Sequence, residues 1–263
     1  MWKDRKKLLS APFPPDWQRL VRAGCSFYER LPEPDRRELE GRSHVFLAEK
    51  KFEGCDGLRI TDEIRVCIAA QACLLLLHRR TDGYPGLRTI LVYPSSYYVR
   101  TTRPVGAGVL EEGWQARAGE SWQAGAVVLA WDEVRRGGLD PEPGNVVLHE
   151  FAHQLDCEDG GAADGIPVLG NGESFRLRQG RHAVWVGVMR SEYEQLRARV
   201  QNGETSFLRA YGATNPAEFF AVATESFFGQ PLEMQRRHPA LYEELKWFYR
   251  QDPAQWPPAM PSS

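Results

Sequence analysis

The longest apolar run in the chain, Ile68 to Leu77, is interrupted by one polar residue, Gln71. Thr61, Asp62 and Glu63 precede it, a hydroxyl cap followed by acidic side chains that suit the positive end of a helix dipole. The run predicts a buried helix after Thr61 and falls far short of the roughly 20 residues that cross a bilayer. Upstream, the mixture of apolar and charged positions predicts two helices, around residues 16–31 and 34–50. Thr89 to Tyr93, Tyr97 to Arg100 and Ala126 to Trp131 carry strand-forming residues and predict short strands. Val146, Val147, Leu148, Phe151, Ala152 and Leu155 then wrap an apolar surface around a further helix, with Asn145 placed to cap it and an Asp/Gly-rich segment to stop it.

Beyond this segment, His182 to Gln201 reads as a long amphipathic helix and Ala240 to Gln251 as another. Between them, Tyr211 to Ala221 reads as a turn, an Asn215 cap, Pro216 at the first helical position and an apolar helix ending near Gly229. Residues 253–263 hold four prolines and predict a tail without regular structure. The chain divides, on this reading, into an N-terminal tail (1–15), one domain over 16–252 with a helical part to about residue 80 and a core from about 85, and the Pro-rich tail. No internal repeat is evident.

Composition narrows the function classes. With 33 Lys and Arg against 35 Asp and Glu, the chain has no global attraction to nucleic acid or anionic membrane. The basic cluster Lys3, Arg5, Lys6 and Lys7 reads as a solvated tail. Five cysteines, at 25, 55, 67, 73 and 157, form no CxxC pair and leave one over, which fits reduced thiols and a cytoplasmic location. Met1 to Lys7 is followed by too few apolar residues before Pro12 to make an export signal.

The chemistry concentrates in His149-Glu150-Phe151-Ala152-His153, an HExxH sequence on the helix capped by Asn145. At about 3.6 residues per turn, positions i and i+4 stack, so both imidazoles reach one metal. Glu150 lies beside the first histidine, where a carboxylate takes a proton from water at the metal. Chance alone would place HExxH in on the order of one in a hundred chains of this length. Here the apolar surroundings make two buried histidines and a glutamate costly without a shared partner.

A catalytic zinc keeps three protein ligands and one open position, so a third ligand is needed. Glu218, just inside the apolar helix after Asn215, is the best candidate; Asp156, Glu158, Asp159 and Asp164 are the alternatives. Asp156 reads better as a residue that orients a ligand, and the other three as loop chemistry. Glu225, two turns after Glu218 on the same face, reads equally well as a carboxylate holding a ligand histidine or as a solvated helix residue. His44, His78, His182 and His238 lack a histidine one turn away and read as non-catalytic.

The segments HEFAHQLD (149–156), DGGAADG (159–165) and YGATNPAEFF (211–220) resemble the Mlc titration factor A family of bacterial zinc metallopeptidases. The likeness continues upstream through Lys51 to Gly54, Thr61 to Val66 and Ile68 to Cys73, and so covers most of residues 20–250. The last block also resembles the catalytic domain of anthrax lethal factor, with a tyrosine seven residues before the ligand glutamate. Val222 departs from that pattern, which has a carboxylate there.

The resemblance implies that His149, His153 and Glu218 ligate one zinc per chain, that Glu150 is the general base and that Tyr211 donates a hydrogen bond in the transition state. It further implies a gluzincin-like peptidase, of aminopeptidase type, acting on peptides and linked to the glucose phosphotransferase system through the Mlc repressor. Together with the element pattern, the expected fold is α+β: a mainly helical, zincin-like metallopeptidase with a small mixed β-sheet beside the HExxH helix. Residues 125–131, just before that helix, are expected either to bind peptide by strand addition or to form a core strand. The competing expectation is a non-catalytic protein that sequesters the repressor and uses its metal site structurally. No direct nucleic-acid or membrane partner is expected.

Overall fold

The computed structural model describes residues 2–81, 83–95, 97–104, 110–117, 119–122, 125–140, 144–158, 160–169 and 175–257. Helix dominates, and the caps written into the sequence set where the central helices begin. Helix α1 (Trp2–Leu9) is followed by α2 (Pro15–Gly24), a short 3-10 turn (Tyr28–Arg30), α3 (Glu33–Glu49) and α4 (Asp62–Leu74). Thr61 caps α4 by accepting the Ile64 N–H at 3.3 Å, and the helix that follows is buried along almost its whole length.

Within the region expected as an N-terminal tail, Trp2–Leu9 is helical and residues 10–14 are not. Arg5 of α1 forks onto the carboxylate of Glu49 at the end of α3, so this basic residue is engaged by the fold. Such partly exposed pairs contribute little energy, and α1 also packs directly on α3, where Leu9 O lies so close to Gly41 that a Cβ there would come within 2.5 Å.

A four-stranded sheet runs in the order β1 (Lys51–Gly54), β2 (Thr89–Tyr93), β6 (Ala126–Ala130), β5 (Gly119–Trp122). The first three strands are parallel, in the register Lys51 to Thr89 to Ala126, and β5 runs antiparallel to β6. Strands β3 (Tyr97–Pro104) and β4 (Leu110–Arg117) form a separate antiparallel hairpin. The fold is thus α+β and mainly helical, with a mixed sheet.

Strand β6 decides between the two alternatives held for residues 125–131. It pairs on both sides, with β2 and with β5, and Val127 to Ala130 are buried. It has no free edge for peptide and is a core strand. Trp131, expected to end this strand, instead opens α5 (Trp131–Leu139).

Helix α6 (Val146–Asp156) carries the HExxH sequence and packs against α8 (Pro216–Gly229). Asn145 caps α6 by accepting the Leu148 N–H at 3.0 Å. Its amide also donates to Gly137 O on α5 at 2.8 Å and to Gln71 Oε1 on α4 at 2.7 Å. Gln71 donates in turn to Val134 O at 3.3 Å, which explains a polar residue at the centre of the most apolar helix. One capping residue thus sets the position of α6 against both α4 and α5.

Helix α7 (Phe175–Gln201) starts earlier than the amphipathic pattern predicts. It is followed by a 3-10 turn (Ala210–Ala213), α8, α9 (Pro231–Arg237) and α10 (Pro239–Tyr249). The continuous core joins side chains of α2 to α4, the parallel strands, α6, α8 and α10. Residues 253–257, expected without regular structure, begin with a 3-10 turn (Pro253–Gln255). They are held by Arg30 Nε, which donates to Pro257 O at 3.0 Å, and by Trp256 against Phe228. The remaining tail lies outside the described residues. Among the described residues, no helix is long and apolar enough to cross a membrane.

Candidate metal centre

Three predicted residues meet where α6 crosses α8. One nitrogen of His149, one nitrogen of His153 and one oxygen of Glu218 lie within 4.8 Å of one another. His149 and His153 are one helical turn apart, with ring centroids at 5.0 Å. Asn215 caps α8 by accepting the Glu218 N–H at 3.0 Å and Pro216 starts the helix, which places Glu218 in the first turn, facing the histidines. Glu218 Oε2 lies 3.0 Å from His149 Nε2 and 3.5 Å from His153 Nε2.

The donor set suits a borderline divalent metal: two imidazole nitrogens and a carboxylate oxygen converging on one point. Burial pushes the Glu218 carboxyl up, but hydrogen bonds from His149 and His153 outweigh it and hold the group well below the usual carboxylate range. Burial likewise opposes charge on His149, yet its hydrogen bonds to Glu218 and Glu225 raise it to about 10 in the metal-free protein.

His149 Nδ1 lies 2.8 Å from Glu225 Oε1, so Glu225 holds a ligand-type histidine and is not a solvated helix residue. Protonated, the ring donates from Nδ1 to Glu225 and from Nε2 to Glu218; with Nδ1–H kept on Glu225, loss of the Nε2 proton would leave that nitrogen's lone pair for a metal. His153 differs, for its buried Nδ1 has no hydrogen-bond partner among the described residues. Glu150 is buried, next to His149, and lines the same cleft. Tyr211 stands opposite on its 3-10 turn, half exposed, with its ring 5.9 Å from that of His149.

The cleft measures about 1030 Å³. Its walls come from Tyr84 to Gly86, from the α6 residues and the segment after them, and from Tyr211 and the start of α8. This is room for several residues of an extended chain, with Glu150, Tyr211 and the metal-type cluster facing the same space.

Of the rival third ligands, the three that are described have other partners. Asp156 accepts the Gly165 N–H at 2.7 Å, and burial pushes its carboxyl up to about 6. Expected to orient a ligand, it instead ties down the loop that lines the cleft. Gly165 has φ +81°, and a Cβ there would come within 2.6 Å of Pro216 O, so the loop approaches the start of α8 as closely as glycine allows. Glu158 accepts from the Thr81 hydroxyl at 2.9 Å and lies 3.7 Å from Arg79. Asp164 accepts the Ile166 N–H at 2.9 Å, and Asp159 lies outside the described residues. His44 packs among Phe13 and Trp17, and His238 pairs with Glu192, both away from the cleft.

Sequence reasoning missed Arg209, whose guanidinium bonds the Glu225 carboxylate. Nothing local marks it, because its partner is 16 residues away on another element. It also missed Cys157, which lines the cleft one turn after His153.

The profile of the family described as glucose-regulated metallo-peptidase M90 matches residues 1–250. An uncharacterized protein of Synechocystis sp. is 42% identical over 254 residues, spanning 96% of this chain and 89% of the relative. Proteins named Mlc titration factor A from Yersinia pestis and Yersinia pseudotuberculosis are each 30% identical over 225 residues, spanning 85% of this chain and 80% of theirs.

Proposed function

Because the chain belongs to the glucose-regulated metallo-peptidase family M90, we propose that it is a zinc-dependent peptidase whose single metal is held by His149, His153 and Glu218. The observation that carries this reading is the convergence of two imidazoles and one carboxylate at the floor of an open cleft. Zinc bound there supplies Lewis acidity to a peptide carbonyl and to water.

The protein's own groups do the rest. Glu150 takes the proton of the attacking water and later returns it to the leaving amine. The Tyr211 hydroxyl donates a hydrogen bond to the oxyanion that develops on the carbonyl. Glu225 keeps His149 in one tautomer, and the cleft walls orient the chain to be cut. Strand β5 lies beside α6 at the edge of the described sheet, and an extended peptide adds there rather than at β6.

Retention of Glu150 and Tyr211 favours catalysis over a structural metal, since a structural site ordinarily closes its fourth position with another ligand. The family likeness further suggests aminopeptidase specificity. The five free cysteines suit a cytoplasmic location. The name Mlc titration factor A, carried by the Yersinia relatives, suggests that the chain also binds an Mlc-type repressor.

The test is hydrolysis of amino-terminally free and blocked peptides by the wild type beside Glu150→Gln. Removing the base is expected to keep zinc and lower turnover by about a hundred- to ten-thousandfold. Cleavage of the free peptides alone identifies an aminopeptidase. Zinc binding without turnover in the wild type would instead favour a repressor-sequestering protein, whose Glu150→Gln variant would still bind the repressor.

A further inference from the structure

The Glu225 carboxylate, on α8, joins two other segments of the chain, the start of α6 and the turn at Arg209. Its side chain is 4% exposed. Oε1 faces His149 Nδ1 at 2.8 Å and accepts from Arg209 Nη2, while Oε2 accepts the Asn145 N–H at 2.7 Å. The backbone at Gly144 presses on this junction: a Cβ there would lie 2.4 Å from Glu225 Oε2 and 2.9 Å from Arg209 Cζ. Only a residue without a side chain fits, so the cradle around the carboxylate and the guanidinium is sterically complete on that side.

Arg209 also belongs to the turn that bears Tyr211. Its carbonyl accepts the Gly212 N–H at 3.0 Å, and Tyr211 O accepts from Thr214 Oγ1 at 2.7 Å. The tyrosine and the histidine it faces are therefore connected by a short chain of side chains, from the turn through Arg209 and Glu225 to His149.

We infer that Arg209 is a positioning residue which, through Glu225, locks the Tyr211 turn and the His149 ring into one unit and so sets zinc affinity and tyrosine placement together. The inference rests on the metal reading above. A histidine that ligates zinc is neutral, so in the loaded protein the buried Glu225 carboxylate has Arg209 as its cationic partner. Without the guanidinium the carboxylate is a poorly compensated buried charge, and its grip on His149 Nδ1 loosens. The turn loses one of its anchors at the same time. Arginine suits the role because its planar fork can hold a carboxylate while its stem stays half exposed.

The test is zinc titration of the full chain against a competing chelator, with kcat and KM measured in parallel. Arg209→Met is expected to lower zinc affinity by about ten- to hundredfold, the range for groups that orient metal ligands. It should also lower kcat more than it raises KM, because the misplaced group acts in the transition state. Arg209→Lys, which keeps the charge without the fork, should recover part of both losses. In a Glu225→Gln background Arg209→Met should cost zinc affinity nothing further, because the arginine acts through that carboxylate.

Zinc affinity of Arg209→Met within about twofold of the wild type, or a full additional loss in the Glu225→Gln background, would overturn the inference. Should Arg209→Met fail to fold, Arg209→Gln, a neutral donor, takes its place with the same expectations. Glu218→Ala separates the two levels. If it binds zinc like the wild type, the metal reading itself fails; if it loses zinc while the Arg209 variants do not, only this inference fails.

Discussion

At the scale of single residues, the proposed function divides the labour of the site between groups that would hold a metal and groups that would react. His149, His153 and Glu218 converge because a helical turn separates the first two and an Asn215 cap fixes the third. The Tyr211 ring packs against that of His149, with centroids 5.9 Å apart, and Phe would keep that ring contact while removing only the hydroxyl. Tyr211→Phe should therefore leave zinc affinity unchanged and lower kcat by about a hundred- to thousandfold, the cost of one oxyanion donor. Steady-state kinetics beside a zinc titration checks this, and loss of zinc would instead make Tyr211 part of the metal site. These residues were legible in the sequence because HExxH is local and because Asn215, Pro216 and Glu218 occupy cap, first position and first turn of one helix. Arg209 was not, since a salt bridge across 16 residues leaves no periodic trace.

At the scale of elements, caps carried most of the readable information. Thr61, Asn145 and Asn215 each accept the expected backbone N–H, and α4, α6 and α8 begin where those residues place them. Asn145 does more than cap, because its amide also bonds Gln71 and Gly137. Asn145→Ala thus removes a cap worth about 1 kcal/mol and leaves two buried acceptors short of a donor, each at about 1–3 kcal/mol before relaxation. A loss of about 2–4 kcal/mol in denaturant unfolding is expected. A loss well under about 1 kcal/mol would show that the Gln71 network adds nothing.

What the local pattern could not give was pairing. The sequence of β6 reads equally well as an edge or a central strand, and only β2 and β5, brought in from either side, decide that it is central. Helix α5 was hidden because Trp131 continues an apolar run before the chain turns helical. Helix α1, within the expected tail, has few apolar residues, and its contacts to α3 through Arg5 and Leu9 again involve distant partners.

At the scale of the molecule, metal, proton and stability are linked. In the metal-free protein His149 holds its proton up to about 10, against an ordinary value of 6.5. A raised histidine stabilises the fold fully below its ordinary value, and that contribution is lost as pH rises through its folded value. Chelator-treated protein should therefore lose thermal stability between pH 6.5 and 10, whereas the zinc-loaded protein should lack that slope because zinc replaces the proton. Over the same window zinc binding should release about one proton, so affinity falls about tenfold for each pH unit lowered. Calorimetry in buffers of different ionisation enthalpy reads the proton directly. An absence of proton release at neutral pH would mean that the metal does not displace the His149 proton.

The most direct test of the central claim is zinc titration of chelator-treated wild type, His153→Ala and Glu218→Ala. With His149, His153 and Glu218 as the ligands, the wild type binds one zinc per chain and each variant loses at least about a hundredfold in affinity. A Glu218→Ala protein that binds one zinc as tightly as the wild type would contradict the account.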